Sequence, residues 1–285
     1  MCVLINEKTR IIVQGITGRV GSIQTKLMLD YGSKIVAGIT PGKGGTIVHS
    51  VPVYDTVKAA VSEHPADASI LFVPATLVKD AAVEAIGSAV KLLVIITEHV
   101  PVHDVIYIKE YSKSMGARVV GPTTPGIICP GKTKIGIMPA NVFMEGSVGM
   151  ISRSGTLLYE IAGNLTLAGV GQSACVGIGA DAVVGTDMTD ILELFEEDEH
   201  TKLVVIVGEI GGVQEEEAAK FIGKMTKPVV AYVAGRVAPP GERMGHAGAM
   251  ILHGRGTAQS KIDVLRRAGV RIANRPSDVV GLVKT

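Results

Sequence analysis

A histidine among glycines, with a carboxylate that can reach it, is the first chemistry this chain offers. His246 stands in Pro239-Pro240-Gly241-Glu242-Arg243-Met244-Gly245-His246-Ala247-Gly248-Ala249, where small neighbours leave an imidazole accessible on a loop. A neutral, oriented imidazole can accept a phosphoryl group covalently and hand it on. The orienting carboxylate is Glu209, which follows the apolar run Leu203–Val207 and precedes Gly211-Gly212. In an open parallel sheet, ligands collect beyond the strand carboxyl ends, where Glu209 and the loop after Val233 are expected to meet. Spacing alone leaves a plain surface histidine as the alternative.

Two strand–turn–helix passages offer anion sites. The run Gly15-Ile16-Thr17-Gly18-Arg19-Val20-Gly21 follows an apolar strand and opens a helix. There, backbone N–H groups and the helix dipole favour a phosphate, and the glycines admit close approach. A dinucleotide fold that reads a ribose carries an acid about 20 residues further on. This chain instead runs Gly38-Ile39-Thr40-Pro41-Gly42-Lys43-Gly44-Gly45. A cation in that place suits an extra phosphate, which argues against NAD and for a phosphorylated adenosine such as coenzyme A. The second passage, Val148 to Thr156, offers Ser154, Gly155 and Thr156 to a phosphoryl group. It lacks the leading glycine of a G-x-S-x-G nucleophile elbow, because Ser152 holds that place.

Two further patterns are set aside. Gly126 to Thr133 matches the nucleotide P-loop letter for letter, yet a proline turn precedes it and the strand-like Lys134-Ile135-Gly136-Ile137 follows. The mechanism requires a strand before and a helix after. His99 and His103 have helical metal-pair spacing, but Pro101 between them spoils a shared face.

Alternating short apolar strands and amphipathic helices must position these groups. Glycine is abundant at 35 of 285 residues, apolar residues make up 47%, and aromatics only 4%. Strands such as Ile70-Leu71-Phe72-Val73 and Leu92-Leu93-Val94-Ile95-Ile96 are continuously apolar, as in parallel sheets covered on both faces. The rhythm breaks over Gly121–Pro139, a stretch read as a connection between domains, and resumes to the C-terminus. The expected fold is α/β with mainly parallel sheets: a Rossmann-type domain at 1–125 and a flavodoxin-like domain at 126–285. Glu215-Glu216-Glu217 reads as a charged helix start suited to the dipole.

Lys plus Arg total 28 and Asp plus Glu 27, a balance that gives no reason to expect a nucleic-acid groove. No apolar run approaches a membrane span, and no signal core opens the chain, so a cytoplasmic location is expected. Cys2, Cys129 and Cys175 are widely spaced, which argues against a disulfide framework or structural zinc.

Gly38–Gly45, Ser152–Thr156, Gly208-Glu209-Ile210-Gly211-Gly212 and Arg243–Ala249, in that order, resemble the succinyl-CoA synthetase α subunits along the whole chain. The resemblance implies a CoA-binding domain followed by a ligase domain with His246 as phosphohistidine and Glu209 as its partner. It implies CoA contacts from Thr17, Gly18, Arg19, Val20, Lys43, Ile96, Thr97 and Glu98, and a substrate contact from Tyr159. It further implies reversible formation of succinyl-CoA from succinate, CoA and a nucleoside triphosphate, with nucleotide and Mg²⁺ held by a β subunit. The sequence departs from the family pattern at Gly121-Pro122-Thr123-Thr124-Pro125-Gly126, where the family commonly carries Asn-Cys in place of Thr123-Thr124. A ligase for malate, citrate or acetate, or a non-catalytic CoA sensor, therefore stays as an alternative.

Overall fold

The structure is a computed structural model that describes residues 2–239, 241–252 and 256–285. Its first half alternates β1 (Arg10–Gln14), α1 (Arg19–Asp30), β2 (Lys34–Ile39), β3 (Ile47–Val48), β4 (Val51–Tyr54) and α2 (Val57–Glu63). It continues with β5 (Ala68–Leu71), α3 (Val78–Gly87), β6 (Leu92–Ile95), α4 (Val102–Ser114) and β7 (Arg118–Val120). These strands form one seven-stranded sheet in the order β3-β4-β2-β1-β5-β6-β7, parallel except for the β3–β4 hairpin. The strands of that hairpin are only two and four residues long, and the sequence reading places no strand there.

The second half holds β8 (Gly126–Cys129), β9 (Thr133–Gly136), β10 (Glu145–Ser152), α5 (Gly155–Leu167), β11 (Gln172–Gly177) and α6 (Met188–Glu197). It ends with β12 (Leu203–Glu209), α7 (Gln214–Ile222), β13 (Val229–Ala234), α8 (Ala258–Arg267), β14 (Arg271–Ala273) and α9 (Asp278–Lys284). The order is β14-β13-β12-β10-β11-β8-β9, with the β8–β9 hairpin added antiparallel to the edge of an otherwise parallel sheet. The P-loop lookalike is this hairpin: Lys132 lies in its turn, Thr133 opens β9, and Lys132 pairs with Glu145 at 3.2 Å. The proline-rich stretch read as a connection thus contributes two strands, of which β9 covers most of the strand expected at Lys134–Ile137 and β8 was not expected.

Alternate residues of the central strands enter different cores, because side chains along a strand point to opposite faces. Ile11 and Val13 pack on one side of the first sheet, and Ile12 on the other. In the second sheet Val204 and Ile206 face the core that holds Ile11 and Val13, while Val205 and Val207 face away. The two sheets therefore share one apolar layer. The hairpin seals the seam, with Ser33 Oγ donating to the Lys134 carbonyl at 2.7 Å and Gly131 N–H donating to the Tyr31 hydroxyl at 2.9 Å.

Cys2 and Cys129 are joined as a disulfide, with Cα atoms 6.1 Å apart, contrary to the expectation of unpaired cysteines. Topology brings together residues 127 positions apart, which spacing rules cannot see. Cys175 is free and buried. Pro101 is the N-cap residue of α4, so His99 lies outside the helix that carries His103. No helix among the described residues is long and apolar enough to cross a membrane.

Candidate active site

The first glycine turn is shaped by sterics. Gly15 sits at φ +81, in the region glycine enters freely, and its N–H donates to the Ile39 carbonyl at 2.8 Å. Gly21 is pressed against the turn so closely that a Cβ there would lie 2.1 Å from the Gly15 carbonyl oxygen. Gly18 stands at the N-cap of α1 and brings no capping side chain, so the first-turn amides stay available to a ligand. Thr17 Oγ1 donates to Thr40 Oγ1 at 3.1 Å, which ties the turn to the end of β2.

A cavity of about 430 Å³ opens on this turn, lined by Thr17 and Gly18 and walled by Phe72, Val73, Pro74 and Leu77. That apolar wall was not singled out in the sequence, since nothing but its place after β5 marks it. Arg19 and Val20 begin α1, and Lys43 lies exposed on the turn after β2; none of the three lines the cavity. An acid does reach this turn: Asp55, just past β4, accepts from the Gly44 N–H at 2.9 Å. Ile96, Thr97 and Glu98 follow β6, with Thr97 Oγ1 donating to the Val73 carbonyl at 2.8 Å. After Glu209 and burial, Glu98 contributes a small electrostatic raise to the His246 pKa.

The second turn is built from side chains. Ser154 caps α5, its Oγ accepting from the Leu157 N–H at 3.4 Å and lying 3.3 Å from Thr156 Oγ1. Ser152 Oγ braces the bend, donating to the Ser154 carbonyl at 2.6 Å. At Gly155 a Cβ would lie 3.4 Å from Pro125 and 3.7 Å from the Tyr159 hydroxyl, so the loop after β7 rests on the start of α5. Burial pushes the Tyr159 phenol up to about 12, which keeps it a proton donor.

Glu209, the last residue of β12, meets the histidine loop as the strand-end rule requires: His246 Nδ1 is 2.7 Å from Glu209 Oε2. The carboxylate hydrogen bond raises the His246 pKa above the ordinary imidazole value, against a smaller lowering by burial. With Nδ1 held, Nε2 is the nitrogen left for nucleophilic attack, on a side chain that is 34% exposed. Pro240, within the expected loop, lies outside the described residues.

Beneath this pair runs a network that the sequence did not reveal. Arg153 Nη1 donates to the carbonyls of Glu209 and Gly211 at 3.0 and 2.8 Å, and Nη2 lies 3.5 Å from Glu209 Oε1. Glu215, at the start of α7, is fully buried, accepts from the Glu209 N–H at 3.0 Å, and pairs with Arg153 and Lys261. Burial would raise the Glu215 carboxyl, but Arg153 and Lys261 outweigh it and hold it below the ordinary range. The three acids do open a helix as expected, but Glu215 among them is interior. Breaking a buried ion pair from one side costs about 3–5 kcal/mol, so the network fixes Glu209 firmly. Arg153 lay inside the second motif; Lys261 had no sequence signal.

A profile of the CoA binding domain matches residues 6–99, and one of the CoA-ligase matches residues 151–271. The chain is 56% identical over 283 residues to succinate–CoA ligase (ADP-forming) subunit alpha 2 of Archaeoglobus fulgidus, covering 99% of each chain. It is 55% identical to succinate–CoA ligase (ADP-forming) subunit alpha of Methanothermobacter thermautotrophicus, over 99% of this chain and 96% of that one. Among solved structures, ATP citrate lyase of Methanosaeta concilii, a D541A mutant with (3S)-citryl-CoA, superposes with TM-score 0.91 at 27% identity. That match covers 99% of this chain but only 50% of the lyase chain.

Proposed function

The chain belongs to the family of succinate–CoA ligase α subunits, and we propose that it carries a phosphoryl group on His246 Nε2 between a partner subunit and a carboxylic acid. The contact that carries this reading is His246 Nδ1 on Glu209 Oε2 at 2.7 Å. It fixes the tautomer with hydrogen on Nδ1 and directs the Nε2 lone pair outward. A non-catalytic CoA sensor has no need of a buried network that anchors a carboxylate beneath a loop histidine.

In the forward direction, Nε2 attacks the terminal phosphoryl of a nucleoside triphosphate and releases the diphosphate. The succinate carboxylate then attacks the phosphohistidine, giving succinyl phosphate and restoring the imidazole. The CoA thiolate attacks the acyl carbon, forms succinyl-CoA and expels inorganic phosphate. The start of α5 holds the phosphoryl charge through its amides, with Ser154, Gly155 and Thr156 at the turn and the protonated Tyr159 beside the acid. CoA lies along the first turn, with Thr17, Gly18, Arg19 and Val20 at its phosphates. Lys43 takes the phosphate on the ribose, and Ile96, Thr97 and Glu98 lead the thiol towards His246.

Nucleotide and Mg²⁺ belong to a β subunit on this reading. The one P-loop pattern is a β-hairpin, and no three His, Cys, Asp or Glu side chains among the described residues gather to hold a metal ion. The metal would neutralise triphosphate charge during transfer. The test is coexpression with a β subunit and assay of thioester formation with succinate, malate, citrate and acetate. Succinate-dependent turnover is expected with both subunits and none from this chain alone. An acid-labile, base-stable phosphoryl label should appear on wild type and vanish in His246→Ala; a label retained in that variant refutes the assignment.

A further inference from the structure

Thr123 occupies a backbone conformation that its side chain opposes. Its φ is +57, in the left-handed region, where a β-branched residue is an outlier costing about 1–3 kcal/mol. Such a residue persists only where its surroundings over-determine it. Two contacts do so here. The Thr123 N–H donates to the Thr97 carbonyl at 3.2 Å, and Thr123 Oγ1 donates to Asp181 Oδ1 at 2.9 Å across 58 residues.

Asp181 belongs to the loop after β11, which is gripped from two sides. On one side lies the loop 121–125. The Gly185 N–H donates to the Gly121 carbonyl at 2.8 Å, and a Cβ on Gly179 would lie 2.2 Å from the Pro122 carbonyl oxygen. On the other side lies the histidine loop. The Gly248 N–H donates to the Ala180 carbonyl at 2.9 Å, and a Cβ on Gly248 would lie 2.7 Å from that oxygen. The 121–125 loop itself ends on Pro125 against Gly155, where a Cβ would also lie 3.7 Å from the Tyr159 hydroxyl. One short segment thus spans the place where the acid would sit and the loop that carries the imidazole.

We propose that Asp181 is a positioning residue: through Thr123 on one side and the Ala180–Gly248 bond on the other, it holds the 121–125 loop, which packs on the start of α5 where the acid would sit, and the His246 loop in one register. This rests on the phosphohistidine ligase reading above. The carboxylate oxygen of the acid must approach the phosphorus in line, and misplacement of a reacting group by about 1 Å costs on the order of 100-fold in rate. A hydroxyl–carboxylate bond between loops of two sheets limits that misplacement without touching substrate. Glu98, His99 and His246 are the charged and titratable groups that face Asp181, and burial raises its pKa. The design depends on an acceptor at Oδ1 rather than on its charge.

The experiment uses the chain complexed with its β subunit. Thr123→Val keeps the shape and the β-branching but removes the donor. Its KM for succinate should rise about tenfold, the worth of one such hydrogen bond, while nucleotide-driven phosphorylation of His246 changes less than twofold. Thr123→Ser should restore the KM to within threefold, and Asp181→Asn, which still accepts, should do likewise. Asp181→Ala should match Thr123→Val, and the double variant should be no worse than either single one. Melting temperatures verify that each variant is folded. An unchanged KM in Thr123→Val overturns the proposal, as do additive defects or an equal loss of His246 phosphorylation. A wild-type complex inactive with succinate would instead refute the ligase reading on which it rests.

Discussion

The two strand–turn–helix passages look alike in sequence and differ in construction. The turn after β1 is shaped by absence: Gly21 has no room for a Cβ, and the helix N-cap is a bare glycine. The turn after β10 is shaped by presence: Ser152 and Ser154 brace it with hydroxyls, and Arg153 runs inward to the support of Glu209. The first turn presents backbone to a ligand beside an apolar cavity. The second joins a helix start to a buried ion network and so registers it against the histidine. A static nucleotide-like ligand needs only close backbone approach, whereas a phosphoryl group that changes partners needs its acceptor held against the same frame.

The contrast breaks most visibly at its glycines. Gly21→Ala places a methyl 2.1 Å from the Gly15 carbonyl oxygen, a backbone atom that cannot turn aside. CoA binding measured by calorimetry should be lost, with a stability cost of about 3 kcal/mol or more in denaturant melts. Gly155→Ala adds its methyl at 3.4 Å from Pro125, an ordinary contact on a helical residue. Stability there should stay within about 1 kcal/mol of wild type, alanine favouring the helix. If both substitutions cost the same, the two turns are not built differently.

The next effect tests the network against the loop. His246 has a raised pKa in the docked state, with Glu209 as its principal cause. The charged pair therefore contributes stability fully present below the free imidazole pKa and lost as pH rises through the docked value. Attack by Nε2 needs the neutral ring, so phosphorylation of His246 should increase with pH through an apparent pKa above the ordinary imidazole value. Glu209→Gln should shift that midpoint downward and slow phosphorylation about 100-fold by releasing the ring orientation. CoA affinity should not change, because Glu209 does not line the cavity at the first turn. A midpoint that does not move would remove Glu209 as the orienting group.

How much of this was legible follows from the range of each force. Glycine turns are local steric requirements, so Gly15–Gly21 could be read directly, and continuously apolar runs announced buried parallel strands. His246 and Glu209 were brought together by a topological rule about strand ends, although they are 37 residues apart. The buried partners of that rule were not legible. Glu215 stands in a run of three acids that reads as a helix start, and only its packing against Arg153 and Lys261 reveals an interior charge. Thr123 and Asp181, like Cys2 and Cys129, meet by chain folding and carry no periodic signal. Of the β8–β9 hairpin, only the second strand was legible, as the run Lys134–Ile137; the four residues of the first lie between the turn prolines Pro125 and Pro130, which hide so short a strand.

The smallest effect belongs to Lys43, and it sharpens the account of the first turn. Lys43 is exposed on a turn whose fold is set by its neighbours: its own N–H donates to the Thr40 carbonyl at 3.0 Å, and Gly44 is held by Asp55. Truncating its side chain should leave stability unchanged, since the Lys43 backbone supplies the turn. A flexible surface ammonium contributes about 0–1 kcal/mol to an ion pair, which corresponds to a loss of up to about fivefold in CoA affinity for Lys43→Ala. The loss should shrink with added salt, as screening predicts. Dephospho-CoA should bind wild type and Lys43→Ala equally, because the phosphate that Lys43 would meet is absent from it. Equal CoA affinity in the two proteins would remove Lys43 from the site and leave the glycine turn and its apolar wall as the whole of the recognition surface.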